Sequence, residues 1–130
     1  MGTPKGGMIM KLKTVIENVD RVKPNAFDSE EKTRWLNEIE GRIQAEILLF
    51  GPDNITVYTY ADNADTELFV KPPYDCLYEY YLIAMIDFHN GEYDKYQNSM
   101  EMFDSKYDAF RKWFIEVYHP ADHLEGCGLC

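Results

Sequence analysis

The residues best equipped for chemistry fall into two short clusters. His119, His123, Cys127 and Cys130 follow the pattern H-x3-H-x3-C-x2-C. Two imidazoles and two thiolates are a legitimate tetrahedral zinc set, and Gly126 and Gly128 beside Cys127 would permit a tight turn. A zinc module, however, separates its ligand pairs by a dozen or more residues that fold around the ion. Nothing of that length intervenes here, so the four are read as part of a loose tail and no metal site is assigned. The second cluster is Asp87, His89, Glu92 and Asp94, around Asn90-Gly91. A histidine between carboxylates can work as an acid–base pair. Yet no Ser, Thr or Cys nucleophile stands near it with a partner, and Cys76 lacks one too. No Gly-rich phosphate loop or dinucleotide fingerprint is present. The expectation from the residues is a non-enzymatic protein, with no metal site assigned.

The elements that would position these groups are mainly helical. Leu12, Val15, Ile16, Val19 and Val22 recur at helical spacing and predict a helix from about Met10, stopped by Pro24. Asp28 is a good N-cap with Glu31 three places on as its reciprocal partner. That opens a helix over about 29–49, with Trp35, Leu36, Ile39, Ile43, Ile47 and Phe50 on one face. Gly51-Pro52 should end it. The period then changes. Ile55-Thr56-Val57-Tyr58-Thr59-Tyr60 and Thr66-Glu67-Leu68-Phe69-Val70 read as two strands about a turn at 61–65, which predicts one β-hairpin over about 55–70. Pro72-Pro73 opens a third, buried helix over about 74–88. The fourth, about Glu92 to Tyr118, carries an unbroken heptad seam: Tyr93, Tyr96, Met100, Phe103, Tyr107, Phe110, Phe114 and Val117. At 1.5 Å per residue it spans on the order of 40 Å. The expected fold is a mainly α helical bundle of about four helices with one small β-hairpin insertion. A single domain over 9–120 would lie between flexible tails at 1–8 and 121–130. Trp35, Leu36, Ile39, Ile43, Leu77, Tyr81, Leu82, Met85, Phe103 and Phe110 are the expected core.

Composition narrows the function. The chain has 130 residues, 45% of them apolar and 15% aromatic, so it is not intrinsically disordered. Its net charge is −10, the wrong sign for a free duplex-DNA or anionic-membrane binder. Three cysteines do not make a disulfide framework, which points to a reducing cytoplasm. No apolar run approaches the roughly 20 residues of a membrane span. Charge is uneven: residues 1–42 hold eight Lys/Arg and seven Asp/Glu, residues 43–130 five and sixteen. A neutral-to-basic end meeting an acidic face of the next copy would suit head-to-tail assembly. The thirteen aromatics from Tyr74 to Tyr118 sit at helical period in an acidic segment. They read as core or subunit interface, not as a base-stacking platform.

Four stretches carry a resemblance. Lys71-Pro72-Pro73-Tyr74-Asp75-Cys76-Leu77-Tyr78 leads into Tyr81-Leu82-Ile83-Ala84-Met85-Ile86-Asp87-Phe88 and Asn90-Gly91-Glu92-Tyr93-Asp94-Lys95-Tyr96, and Trp35-Leu36-Asn37-Glu38-Ile39-Glu40 lies within 27–50. Over roughly residues 10–122 the chain resembles small structural proteins of bacteriophages and prophages, the head–tail connector (adaptor) family of long-tailed phages. That resemblance implies helical-bundle subunits that form a ring below the portal and continue the DNA channel towards the tail. It implies portal and tail-side proteins as partners, a homo-oligomer, no cofactor, no catalytic residues, no specific nucleic-acid binding and no membrane. The implied location is the host cytoplasm during assembly and then the virion. The tail at 119–130 departs from the pattern. From another class, a small cytoplasmic dimeric regulatory or binding module of a prophage is the alternative, and size in solution separates the two.

Overall fold

The computed structural model describes residues 10–118. The expectations for the two tails, with His119, His123, Cys127 and Cys130 among them, fall outside those residues. The helices are α1 (Leu12–Val22), α2 (Ser29–Glu46), the single turn α3 (Tyr60–Asn63), α4 (Cys76–His89) and α5 (Tyr93–Tyr118).

Each long helix follows from its apolar spacing. α1 buries Leu12, Val15, Ile16 and Val19 and ends before Pro24. Asp28 caps α2 by accepting the Glu31 N–H at 2.8 Å. The Glu31 carboxylate turns instead to Arg34, 2.6 Å away, so one half of the expected capping box forms. Phe27 packs edge-on against Trp35 with ring centroids 5.1 Å apart. α2 stops three residues earlier than the apolar spacing predicts. Leu49 takes the left-handed conformation (φ 61°) in place of Gly51, and the Phe50 N–H reaches back to the Gln44 carbonyl at 2.9 Å.

Cross-helix contacts give the topology. Trp35 stacks on His89, Tyr81 bonds Glu38 and Tyr78 bonds Glu40, so α2 runs antiparallel to α4. Asn18 bonds Glu79 and Lys23 meets Asp87, so α1 runs parallel to α4. Phe88 against Tyr96, Tyr81 against Phe103 and Tyr74 against Phe110 set α5 antiparallel to α4. The seam on α5 is buried at Phe103, Tyr107 and Phe110 and opens to solvent at Tyr93 and Val117. Eight of the ten expected core residues are buried; Tyr81 and Met85 are half-buried.

The β-hairpin is not formed, and the reason is physical. Residues 55–59 are extended, but they bond to side chains of α2 and not to residues 66–70. Gln44 Oε1 accepts the Thr56 N–H at 2.7 Å and its Nε2 donates to the Thr56 carbonyl at 3.0 Å. Asn37 does the same for Tyr58, at 2.9 and 2.8 Å. A side-chain amide carries one donor face and one acceptor face, like a peptide group, so two amides seven residues apart on α2 replace a strand partner. Residues 66–68 pair with the chain entering α1: Leu12 N–H to the Thr66 carbonyl at 3.0 Å and Leu68 N–H to the Met10 carbonyl at 2.9 Å, an isolated antiparallel bridge. Between the two segments the expected turn becomes α3, capped by the Thr59 hydroxyl.

Candidate interaction surface

The titratable residues around Asn90-Gly91, weighed above as an acid–base pair and not assigned as a site, do not converge. Asp87 is buried and meets Lys23 Nζ at 2.8 Å. The His89 ring lies on Trp35, centroids 4.8 Å apart, with Phe27 and Phe88 at its edges. Its Nδ1 sits 2.9 Å from the Met85 carbonyl, so that nitrogen carries the proton and donates. Glu92 reaches Lys95 instead, at 3.6 Å, and Asp94 lies in the first turn of α5. The histidine therefore serves as a ring in an aromatic stack. Cys76 opens α4 half-buried, with burial pushing its thiol up from the ordinary value and away from the reactive thiolate. Among the described residues no group of three or more His, Cys, Asp or Glu is placed to hold a metal, and no helix is long and apolar enough to cross a membrane.

Two polar features lie outside what the sequence pattern predicts. Glu40 is fully buried in the centre of the molecule. Its Oε2 accepts the Phe69 N–H at 2.9 Å and the Tyr58 hydroxyl at 3.1 Å, and its Oε1 accepts the Tyr78 hydroxyl. Tyr78 in turn accepts the Val70 N–H at 2.9 Å. Burial raises the Glu40 carboxyl above its ordinary value, against the downward pull of Tyr78, Phe69 and Tyr58. It raises the Tyr78 phenol as well, with the Glu40 charge adding to it. This is a structural knot in a closed core, joining α2, α4 and both extended segments. Only its 3-and-4 spacing with Asn37 and Gln44 on the apolar face of α2 could have signalled it. The second feature ties α2 to α5: Tyr107 donates to Glu46 at 2.7 Å, under the Arg42 guanidinium 4.4 Å above its ring. The Tyr107 bond, with Arg42 behind it, holds Glu46 below the usual carboxylate range.

Among the described residues, an apolar surface lies at the end of the bundle where α5 finishes. Leu48, Phe69, Lys71, Phe110, Trp113, Phe114 and Tyr118 line a groove of about 180 Å³. Tyr74 packs on both Phe110 and Trp113, at 5.9 and 5.5 Å, and fixes the floor. Trp113, Val117 and Tyr118 are exposed beside it, as are Leu49 and Phe50 where α2 reverses. Tyr107 and Phe110, nearer the middle of α5, are buried, with Tyr74 against Phe110 and with Glu46 and Arg42 of α2 against Tyr107. No protein-family model matches the chain, and no curated protein or solved structure matches it.

Proposed function

We propose that this chain is a non-catalytic assembly subunit of the kind its sequence resembles, a head–tail connector. Copies associate into a ring below a phage portal through the end of the bundle where α5 finishes. The observation that supports this reading is the apolar groove whose lining includes the exposed Trp113 and Tyr118. Clustered exposed aromatics of this kind mark partner surfaces, and Trp and Tyr are the usual anchors of interfaces. An acidic subunit suits a channel that DNA must slide through without sticking, the converse of phosphate binding by released counterions.

The test is sedimentation velocity with electron microscopy of purified protein, alone and with a portal. Rings or portal complexes are expected, and Trp113→Glu with Val117→Glu should abolish them while the helical circular dichroism is kept. A chain that stays a monomer and ignores the portal overturns the reading. So does a fixed dimer at every concentration, which would favour the regulatory module.

A further inference from the structure

The segment held to α2 by Asn37 and Gln44 has a second edge. In an extended chain, neighbouring residues turn their N–H and C=O groups to opposite sides. Thr56 and Tyr58 turn theirs inward, where the two side-chain amides satisfy all four groups. Ile55 and Val57 therefore turn theirs outward. Among the described residues, none of these four backbone groups has a hydrogen-bond partner. The backbone is extended at both ends of the segment (Ile55 φ −78°, ψ 123°; Thr59 φ −118°, ψ 148°). Val57 is 70% exposed. The edge is sharply bounded, by the 3-10 turn Pro52–Asn54 on one side and by Thr59 on the other. The Thr59 N–H is already taken by Asn63 Oδ1 at 2.9 Å.

We infer that residues 55–57 are a docking edge for one extended strand of a partner protein that carries basic residues on either side of its pairing core. Backbone pairing at such an edge supplies the recognition, and a β-branched residue beside Val57 supplies apolar contact. Charge selects the partner. Residues 51–67 contain Asp53, Asp62, Asp65 and Glu67 and no Lys or Arg. Lys13 answers Asp65 and Lys71 answers Glu67. Asp53 and Asp62 stand on either side of the edge in sequence with no ion pair among the described residues, and Arg34, which lies by Tyr58 and Thr59, is paired with Glu31. The same acidity disfavours a second copy, since two such segments side by side would set like charges together. The inference does not depend on the groove at the end of α5 and stands or falls separately from the assembly reading.

The probe is a capped peptide, Lys-Val-Thr-Val-Thr-Val-Lys, added to the 15N-labelled full chain and followed by NMR. The expected result is a shift of the Ile55 and Val57 amides and a slowing of their hydrogen exchange by about tenfold or more at saturation. The peptide N-methylated at alternate residues should do neither. Val57→Pro removes an N–H that has no partner in the fold and should abolish binding. Should that variant fold poorly, the N-methylated peptide still separates backbone pairing from other contact on the native chain. No response at millimolar peptide, or shifts confined to other surfaces, overturns the inference. Exchange at Ile55 and Val57 that slows with protein concentration alone also overturns it, in favour of self-pairing.

Discussion

At the scale of single residues, Glu40 is the most consequential side chain in the molecule. A buried carboxylate needs hydrogen bonds on both oxygens, and it has three donors. Burial still leaves its pKa above the ordinary 4.5. The folded state therefore holds that proton more tightly than the unfolded chain does. The sign follows from linkage: where the folded pKa is raised, the group favours folding most when protonated. Its contribution falls as pH rises from the unfolded value through the folded one, then levels off. Glu40→Gln removes the ionisation and keeps an amide able to accept from Phe69 and Tyr58. The variant should therefore gain on the native protein as pH rises from about 4 to 7, by about 1.4 kcal/mol for each unit by which the pKa is raised. Urea denaturation of both proteins at the two pH values measures this, and an unchanged difference would show that Glu40 is not titrating in that window.

At the scale of elements, α2 is both a helix and the stand-in for a missing strand. Gln44→Leu preserves its apolar packing but leaves the Thr56 N–H and C=O without their partners. A loss of about 1–3 kcal/mol is expected for such groups. Amide exchange should quicken at Thr56 and stay slower at Tyr58, which Asn37 still holds. Equal quickening at both would mean that the segment detaches as one piece. This arrangement also explains what is legible in the sequence and what is hidden there. The four long helices are readable because their apolar residues repeat at helical period, and the middle of the α5 seam is buried as that period requires. The β-branched run at 55–60 is extended over 55–59, as its residue types predict, but it is not half of a hairpin. Propensity reports a local backbone preference, whereas pairing depends on which distant groups arrive first. Nothing local at Asn37 or Gln44 announces that an amide will bond a main chain twelve or more residues away. The cluster at 87–94 fails in the opposite way. Closeness in sequence suggests a site, but the end of one helix and the start of the next turn Asp87, His89 and Glu92 towards three different neighbours.

At the scale of the whole molecule, core and surface make separable demands. Phe103 is fully enclosed between α4 and α5, and Phe103→Ala should cost about 3–5 kcal/mol in chemical denaturation. Melting at the native temperature would show that the seam is not the core. Association answers to different forces. The uneven charge along the chain suggests that a neutral-to-basic end meets an acidic face, but the fold uses most of that positive charge internally. Lys13, Lys23, Lys32, Arg34 and Arg42 each meet a carboxylate of their own chain, which leaves little basic surface to attract a neighbour. A copy with net charge −10 repels another copy, and in the proposed assembly the apolar end of α5 is what overcomes that repulsion. Salt screens the repulsion, with a Debye length falling from about 30 Å at 0.01 M to about 8 Å at 0.15 M, and leaves apolar contact untouched. Self-association should therefore strengthen as sodium chloride is raised over that range, read by sedimentation equilibrium at fixed protein concentration. Weakening with salt would mean that opposite charges, and not the aromatic end of α5, hold the copies together.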